Sequence, residues 1–224
     1  TLTRKSMSSK FIIIRVLLFV LLVVGTTSAM IAQDNDFTTW TKFKVNHKID
    51  SRFAVSGNLE LRTEDDMSAI DRWGISVGGV YRAFSFLKFE IGYETHYRNL
   101  GEIGWKFRHR YRIGATASFR YQWLKMSLRE RFQQTFDRGE SETRLRSRLK
   151  LGYAPQKGIV SPYFSIEIYQ SLDDAPFWRT ARLRYRPGIE IDLTKRWSLD
   201  AFYCYQYESS RGKHIAGVEV GYSF

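Results

Sequence analysis

Arginine recurs at every second position in several stretches of this chain. Arg108, Arg110 and Arg112 form one run, Arg144, Arg146 and Arg148 a second that continues to Lys150, and Arg182, Arg184 and Arg186 a third; Arg129 and Arg131 add a shorter pair. In an extended strand a spacing of two places side chains on one face. A guanidinium stays charged, and its planar fork of donors matches carboxylate and phosphate. The chemistry on offer is therefore the holding or passing of anions.

The sequence offers little for bond-breaking chemistry. It carries no G-x-S-x-G, H-E-x-x-H, Walker or dinucleotide motif. Glu94 and His96 share a face and read as an ordinary hydrogen-bonded pair, while His109 and His214 fall on apolar faces. The single Cys204 excludes an internal disulfide and a cysteine-based zinc site. No catalytic residue, metal or cofactor is expected.

The elements that carry these arginines are strands. Apolar and polar residues alternate from Phe37 almost to the last residue, and no helical period of any length interrupts them. Phe107, Tyr111, Ile113 and Ala115 oppose the first arginine run, and Leu145, Leu149, Leu151 and Tyr153 the second. Roughly eleven segments can be traced, each about the 9–11 residues of a tilted membrane strand or slightly more. Aromatics gather at segment ends, among them Trp73, Trp105, Trp178, Trp197, Tyr81, Tyr97, Tyr153 and Tyr207, as in interfacial girdles. Connections are read as alternating between shorter and longer, with polar loops at 64–71 and 209–213. The spacing predicts an all-β fold, an antiparallel transmembrane barrel of ten to twelve strands. Bacterial barrels usually have even strand numbers, so the odd count predicts either a first segment outside the wall or an overlooked strand.

The N-terminal segment supports that compartment. Arg4, Lys5 and Lys10 precede an apolar block from Phe11 to Val24, then small residues through Ala29 and Ala32. This is the order of a secretory signal peptide, with cleavage after Ala29 or, preferred, Ala32. The domains are thus a signal at 1–32 and a barrel at 33–224. At the other end, Tyr222 and Phe224 close an alternating strand on an aromatic residue, the expected recognition signal for the barrel-assembly machinery.

Composition narrows the partners. Lys+Arg number 35 against Asp+Glu 23, while mean hydropathy is negative. In an exported chain that basic excess points to outer-membrane lipid, an anionic solute or a polar barrel interior, not to nucleic acid. If the apolar faces meet lipid, the arginines line the lumen as a basic patch and candidate anion path. Two arrangements remain open. Glu60, Glu90, Glu94, Glu167, Glu190 and Asp192 could cross-pair with the arginines and plug a narrow barrel, or surplus positive charge could face water and select anions.

Several short stretches occur in a recognisable order: Trp40-Thr41, Leu59-Glu60-Leu61-Arg62, Asp71-Arg72, Phe107-Arg108-His109-Arg110, Ser161-Pro162-Tyr163-Phe164, Leu183-Arg184-Tyr185-Arg186-Pro187-Gly188 and Gly221-Tyr222-Ser223-Phe224. In these the chain resembles an uncharacterised outer-membrane β-barrel family of Bacteroidetes-type bacteria, a domain of unknown function. The resemblance implies a monomeric barrel in the cell outer membrane and brings no catalytic residues. The expected role is a porin-like, narrow, anion-leaning channel or a plugged structural barrel. The alternatives are an accessory subunit bound to another envelope protein, or a lipid-modifying enzyme.

Overall fold

The computed structural model describes residues 36–137, 139–155, 158–173, 178–208 and 211–224. The expected signal peptide and its cleavage site lie outside the described residues. Within them the chain forms eleven strands: β1 (Asp36–Lys48), β2 (Phe53–Glu64), β3 (Ala69–Arg82), β4 (Leu87–Asn99), β5 (Trp105–Tyr121), β6 (Leu124–Asp137), β7 (Glu140–Tyr153), β8 (Val160–Ser171), β9 (Arg179–Asp192), β10 (Trp197–Glu208) and β11 (Arg211–Ser223). Each strand pairs with the next in sequence, and β11 closes on β1.

The first segment belongs to the wall, and the odd count stands. Neither expected remedy, dropping a strand or finding a twelfth, is what the chain does. Direction reverses at each connection, so the first and eleventh strands run the same way. The closing pair is accordingly parallel, from Asp36↔Lys213 to Asn46↔Ser223, and all other pairs are antiparallel. Parallel pairing is slightly weaker per residue. Here the seam is long, and it extends into the backbone bonds from Phe224 N to Asn46 O (3.1 Å) and from Lys48 N to Phe224 O (3.3 Å).

Two expectations about connections are corrected. The connections 49–52, 65–68, 83–86, 100–104, 122–123, 138–139, 154–159, 172–178, 193–196 and 209–210 show no alternation of short and long. The loops expected at 64–71 and 209–213 are also shorter, because β3 already starts at Ala69 and β11 at Arg211. Pairing such as Glu64↔Ala69 and Glu208↔Arg211 extends the ladders into polar sequence. Backbone hydrogen bonds do not depend on side-chain alternation, so periodicity underestimates strand length.

The wall is inverted relative to a soluble barrel. Its outer face carries large apolar side chains, with Ile91 63 % and Ile113 60 % exposed, whereas Glu167 and Arg184 inside are 3 % and 5 % exposed. Aromatic pairs border this apolar band. Trp73 stacks on Tyr97 at 5.2 Å and Tyr97 meets Phe107 at 5.3 Å near one end. Phe53–Tyr81 and Trp197–Tyr222, both at 4.8 Å, and Trp123–Tyr153 at 6.1 Å mark the other.

One apolar knot lies inside the barrel. Phe202, Cys204 and Ile215 are buried together, with Trp40 packed against them. The lone thiol acts here as a small apolar side chain. Gly217 makes this packing fit, since a Cβ there would overlap the Phe202 ring. Overpacking at such a site costs about 1–3 kcal/mol. Gly217→Ala is therefore expected to lower the urea midpoint of the detergent-folded barrel. An unchanged midpoint would show that Phe202 can move aside.

Candidate functional site

The lumen is organised around carboxylates that each serve several cations. Glu167 lies on β8 between Ser165 and Tyr169 on the inward face. Its two oxygens accept Arg146 Nη2 at 2.7 Å, and Arg129 Nη2 donates to Oε1 at 3.2 Å. Arg148 and Arg184 approach to 3.7 Å. One buried carboxylate is thus surrounded by four guanidiniums drawn from β6, β7 and β9. An isolated charge in such a place would be prohibitive, and the cluster persists because each member faces an opposite charge.

Neighbouring carboxylates repeat the arrangement. Glu90 takes Arg131 through Nε at 2.8 Å and Nη2 at 2.5 Å. Glu94 takes Arg110 at 3.3 Å and Arg112 at 3.5 Å. Arg186 bridges Asp200 at 2.8 Å and Glu219 at 3.1 Å, and Lys150 meets Glu190 at 2.5 Å. Several of these bonds skip a strand, such as β4 to β6 and β7 to β9. They lie across the inner surface rather than between adjacent strands.

Above this network a cavity of about 620 Å³ reaches the end of the barrel that carries the β6–β7 hairpin. Carboxylates neutralise its rim. Arg98 pairs with Asp71 at 3.1 Å, Arg108 with Asp137 at 2.5 Å, Arg182 with Glu208 at 2.6 Å, and Arg144 with Glu142. Deeper, Arg62, Arg72, Arg110, Arg146 and Arg184 line the cavity with Gln133, Thr135, His96, Tyr169 and Trp40. The Trp40 ring has the Arg62 guanidinium 3.8 Å and the Arg184 guanidinium 4.6 Å from its centroid. Such cation–π contacts hold a guanidinium plane in place.

The expected basic patch therefore divides in two. Arg108, Arg110, Arg144, Arg146, Arg182 and Arg184 line the cavity, whereas Arg112, Arg129, Arg131, Arg148 and Arg186 do not. Position along each strand explains the division: on β5, β7 and β9 the two arginines nearer the open end line the cavity and the third lies beyond its floor. Arg129 faces Arg148 and Arg131 faces Arg146 across β6 and β7, but Arg110 faces Thr135 and Arg112 faces Gln133 across β5 and β6. The basic residues on three successive strands thus make a diagonal band with neutral gaps.

Of the acids expected to pair, Glu60, Glu90, Glu94, Glu167 and Glu190 do so. Asp192 is the exception, exposed at the end of β9 where water can solvate it. Asp200, Glu208 and Glu219, which alternation also turns inward, and Asp71 and Asp137, which read as loop residues, are further partners. Arg62, Arg72, Arg98, Lys213 and Gln133 join the cavity from outside the arginine runs. His96 is 3 % exposed with Nδ1 3.6 Å from Glu94, on the face expected for both. His109 stacks on Phe136 at 5.0 Å, and His214 is hydrogen-bonded to the Tyr203 hydroxyl. Tyr222 packs on Trp197, and Phe224 lies 4.6 Å from the His47 ring beside the parallel seam.

Glu130 escaped notice in the sequence. Its neighbours Ala115 and Ser147 share its outward face, and Ser147 Oγ donates to Glu130 Oε2 at 2.6 Å. Away from the strand ends it is the one charged side chain on the outer wall among the described residues. The strict alternation of Lys125, Arg129 and Arg131 with Met126, Leu128 and Phe132 hid it.

A family model described as "Protein of unknown function (DUF2490)" matches residues 37–215, in keeping with the expected uncharacterised family. No curated protein matches the chain. Among solved structures, the chain is similar to the translocator domain of autotransporter NalP from Neisseria meningitidis, at 16 % identity over 75 % of this chain and 73 % of that one, with a TM-score of 0.46. It is also similar to the β-domain of the Bordetella autotransporter BrkA, at 14 % identity over 77 % and 81 %, with a TM-score of 0.44.

Glu167→Gln keeps the shape of the hub and removes its charge. Leaving buried guanidiniums uncompensated is expected to cost about 3–5 kcal/mol, read as a fall in the denaturant midpoint. An unfolding free energy within about 0.5 kcal/mol of the unmodified barrel, the range of an ordinary surface change, would mean that water already screens the cluster.

Proposed function

We propose that this chain, which belongs to the DUF2490 family of proteins of unknown function, is an outer-membrane barrel plugged by its own arginine–carboxylate network and open only as a cationic vestibule at one end. The observation that carries this reading is the Glu167 hub, which gathers four guanidiniums beneath the cavity. A water-filled pore needs no such cross-pairing, because water would solvate the arginines one by one.

The outer wall supports the membrane placement. Its exposed Ile, Leu, Phe and Tyr side chains would form an aggregating surface in water and a lipid contact in a bilayer. The basic, apolar, small-residue order of residues 1–32 supports export. Tyr222 and Phe224, at the end of the closing strand, are the residues we assign to recognition by the assembly machinery.

Three outcomes are expected. Reconstituted in planar bilayers, the barrel gives no steady conductance steps. Stable anion-selective steps would instead establish the narrow channel and overturn the plug. Glu130→Leu raises the unfolding free energy in lipid vesicles by about 1 kcal/mol, read as a higher urea midpoint, because a carboxylate facing hydrocarbon is unfavourable. A lowered midpoint there would place that face in contact with water or protein. Deleting Phe224 sharply reduces the folded protein in the outer-membrane fraction, and normal levels would remove the residue from assembly.

A further inference from the structure

The vestibule is more than the space above a plug. We propose that its floor is a binding site for a phosphate or diphosphate group, entering from the open end. The proposal rests on the plugged reading only for the residues that form the floor, and those donors can bind an anion whether or not the barrel is closed beneath them.

Charge is sorted by depth. At the rim, arginines are matched by carboxylates that themselves line the cavity, as in Arg108–Asp137 and Arg182–Glu208. At the floor, the acids that hold Arg62, Arg110 and Arg146 are Glu60, Glu94 and Glu167, and none of these lines the cavity. Those carboxylates support the three guanidiniums from behind, so the cavity side of the floor is rich in donors; of the deeper arginines only Arg72 has its carboxylate, Asp71 at 3.3 Å, in the lining. This pulls an anion through a neutral mouth to a positive floor.

A neutral donor sits among the arginines. Gln133 is 6 % exposed and lines the cavity, and its side-chain amide has no hydrogen-bond partner among the described residues. The amide opens onto the cavity and can donate to a ligand there. Beside it, Thr135 Oγ1 accepts from Arg110 Nε at 2.8 Å, which leaves its hydroxyl proton free to donate. Arg62 and Arg184, fixed against Trp40, lose little freedom on binding, and such pre-organisation favours affinity.

The donor set selects the anion. A carboxylate has two oxygens, enough for one or two forks. Several guanidiniums, an amide and a hydroxyl converging on one volume are better matched by a phosphate, with three acceptor oxygens and roughly −1.5 to −2 charges. A cavity of about 620 Å³ lies in the range of small-ligand sites, so the phosphate can be part of a larger molecule.

The test is titration of the full barrel in phosphatidylcholine nanodiscs with inorganic pyrophosphate, followed by calorimetry. Saturable binding at one site is expected. Gln133→Leu touches no ion pair and should weaken it about tenfold, the loss of one hydrogen bond to a charged group. Arg52→Gln, in the β1–β2 turn at the far end, should leave it unchanged. No binding, equal binding by Gln133→Leu, or equal weakening by Arg52→Gln would overturn the site, provided each variant shows the wild-type heat shift on a detergent gel. Repeating the titration in phosphatidylglycerol nanodiscs separates the sources of the phosphate. Reduced pyrophosphate affinity means that headgroups compete, and unchanged affinity means a free solute; both uphold the site. A barrel that conducts yet binds pyrophosphate overturns the plug alone, and one that neither conducts nor binds overturns the phosphate site alone.

Discussion

A charge turned away from water needs an opposite charge, and the interior of this barrel follows from that. The strands bring arginine inward at every second position, more often than acids are available. Each acid is therefore shared. Glu167 meets four arginines, Glu94 two, and Glu219 both Arg186 and Lys42. Sharing draws side chains across the inner surface, and the lumen fills where the acids are. Where acids line only the rim, space remains, and the vestibule is that space.

The outer wall obeys the converse rule. With charge confined to the interior, the exterior can be apolar along nearly every strand, and aromatic pairs border the band at both ends. Glu130 is the exception, answered by the Ser147 hydroxyl. The parallel seam is a second departure. It follows from an odd number of strands joined in sequence, and its length, with the added backbone bonds of Phe224, offsets the weaker geometry of parallel pairing.

Much of the fold was legible because strand periodicity is local. The faces of β5, β6 and β7, the inward Glu94 and His96, and the outward His109 and His214 all follow from counting by two. Strand ends were less legible. Polar residues such as Asp137 and Glu140 pair as well as apolar ones, so loops read from composition came out too long. The site was legible by residue type and not by membership. Alternation turned Arg112 and Arg110 to the same side, yet only Arg110 lines the cavity.

The sequence by itself determined that this is an all-β chain with one apolar and one basic face, since side chains two apart must share a side of a strand. It also determined the excess of cations over acids that makes sharing unavoidable. Only the tertiary structure decided that eleven strands close with a parallel pair, because closure depends on register around the whole ring. Only it decided which arginines meet carboxylates and which meet open space, because those partners lie on strands far apart in sequence. Gln133 shows the difference: in the sequence it is one polar residue among basic ones, and in the barrel it is a buried amide facing the cavity floor.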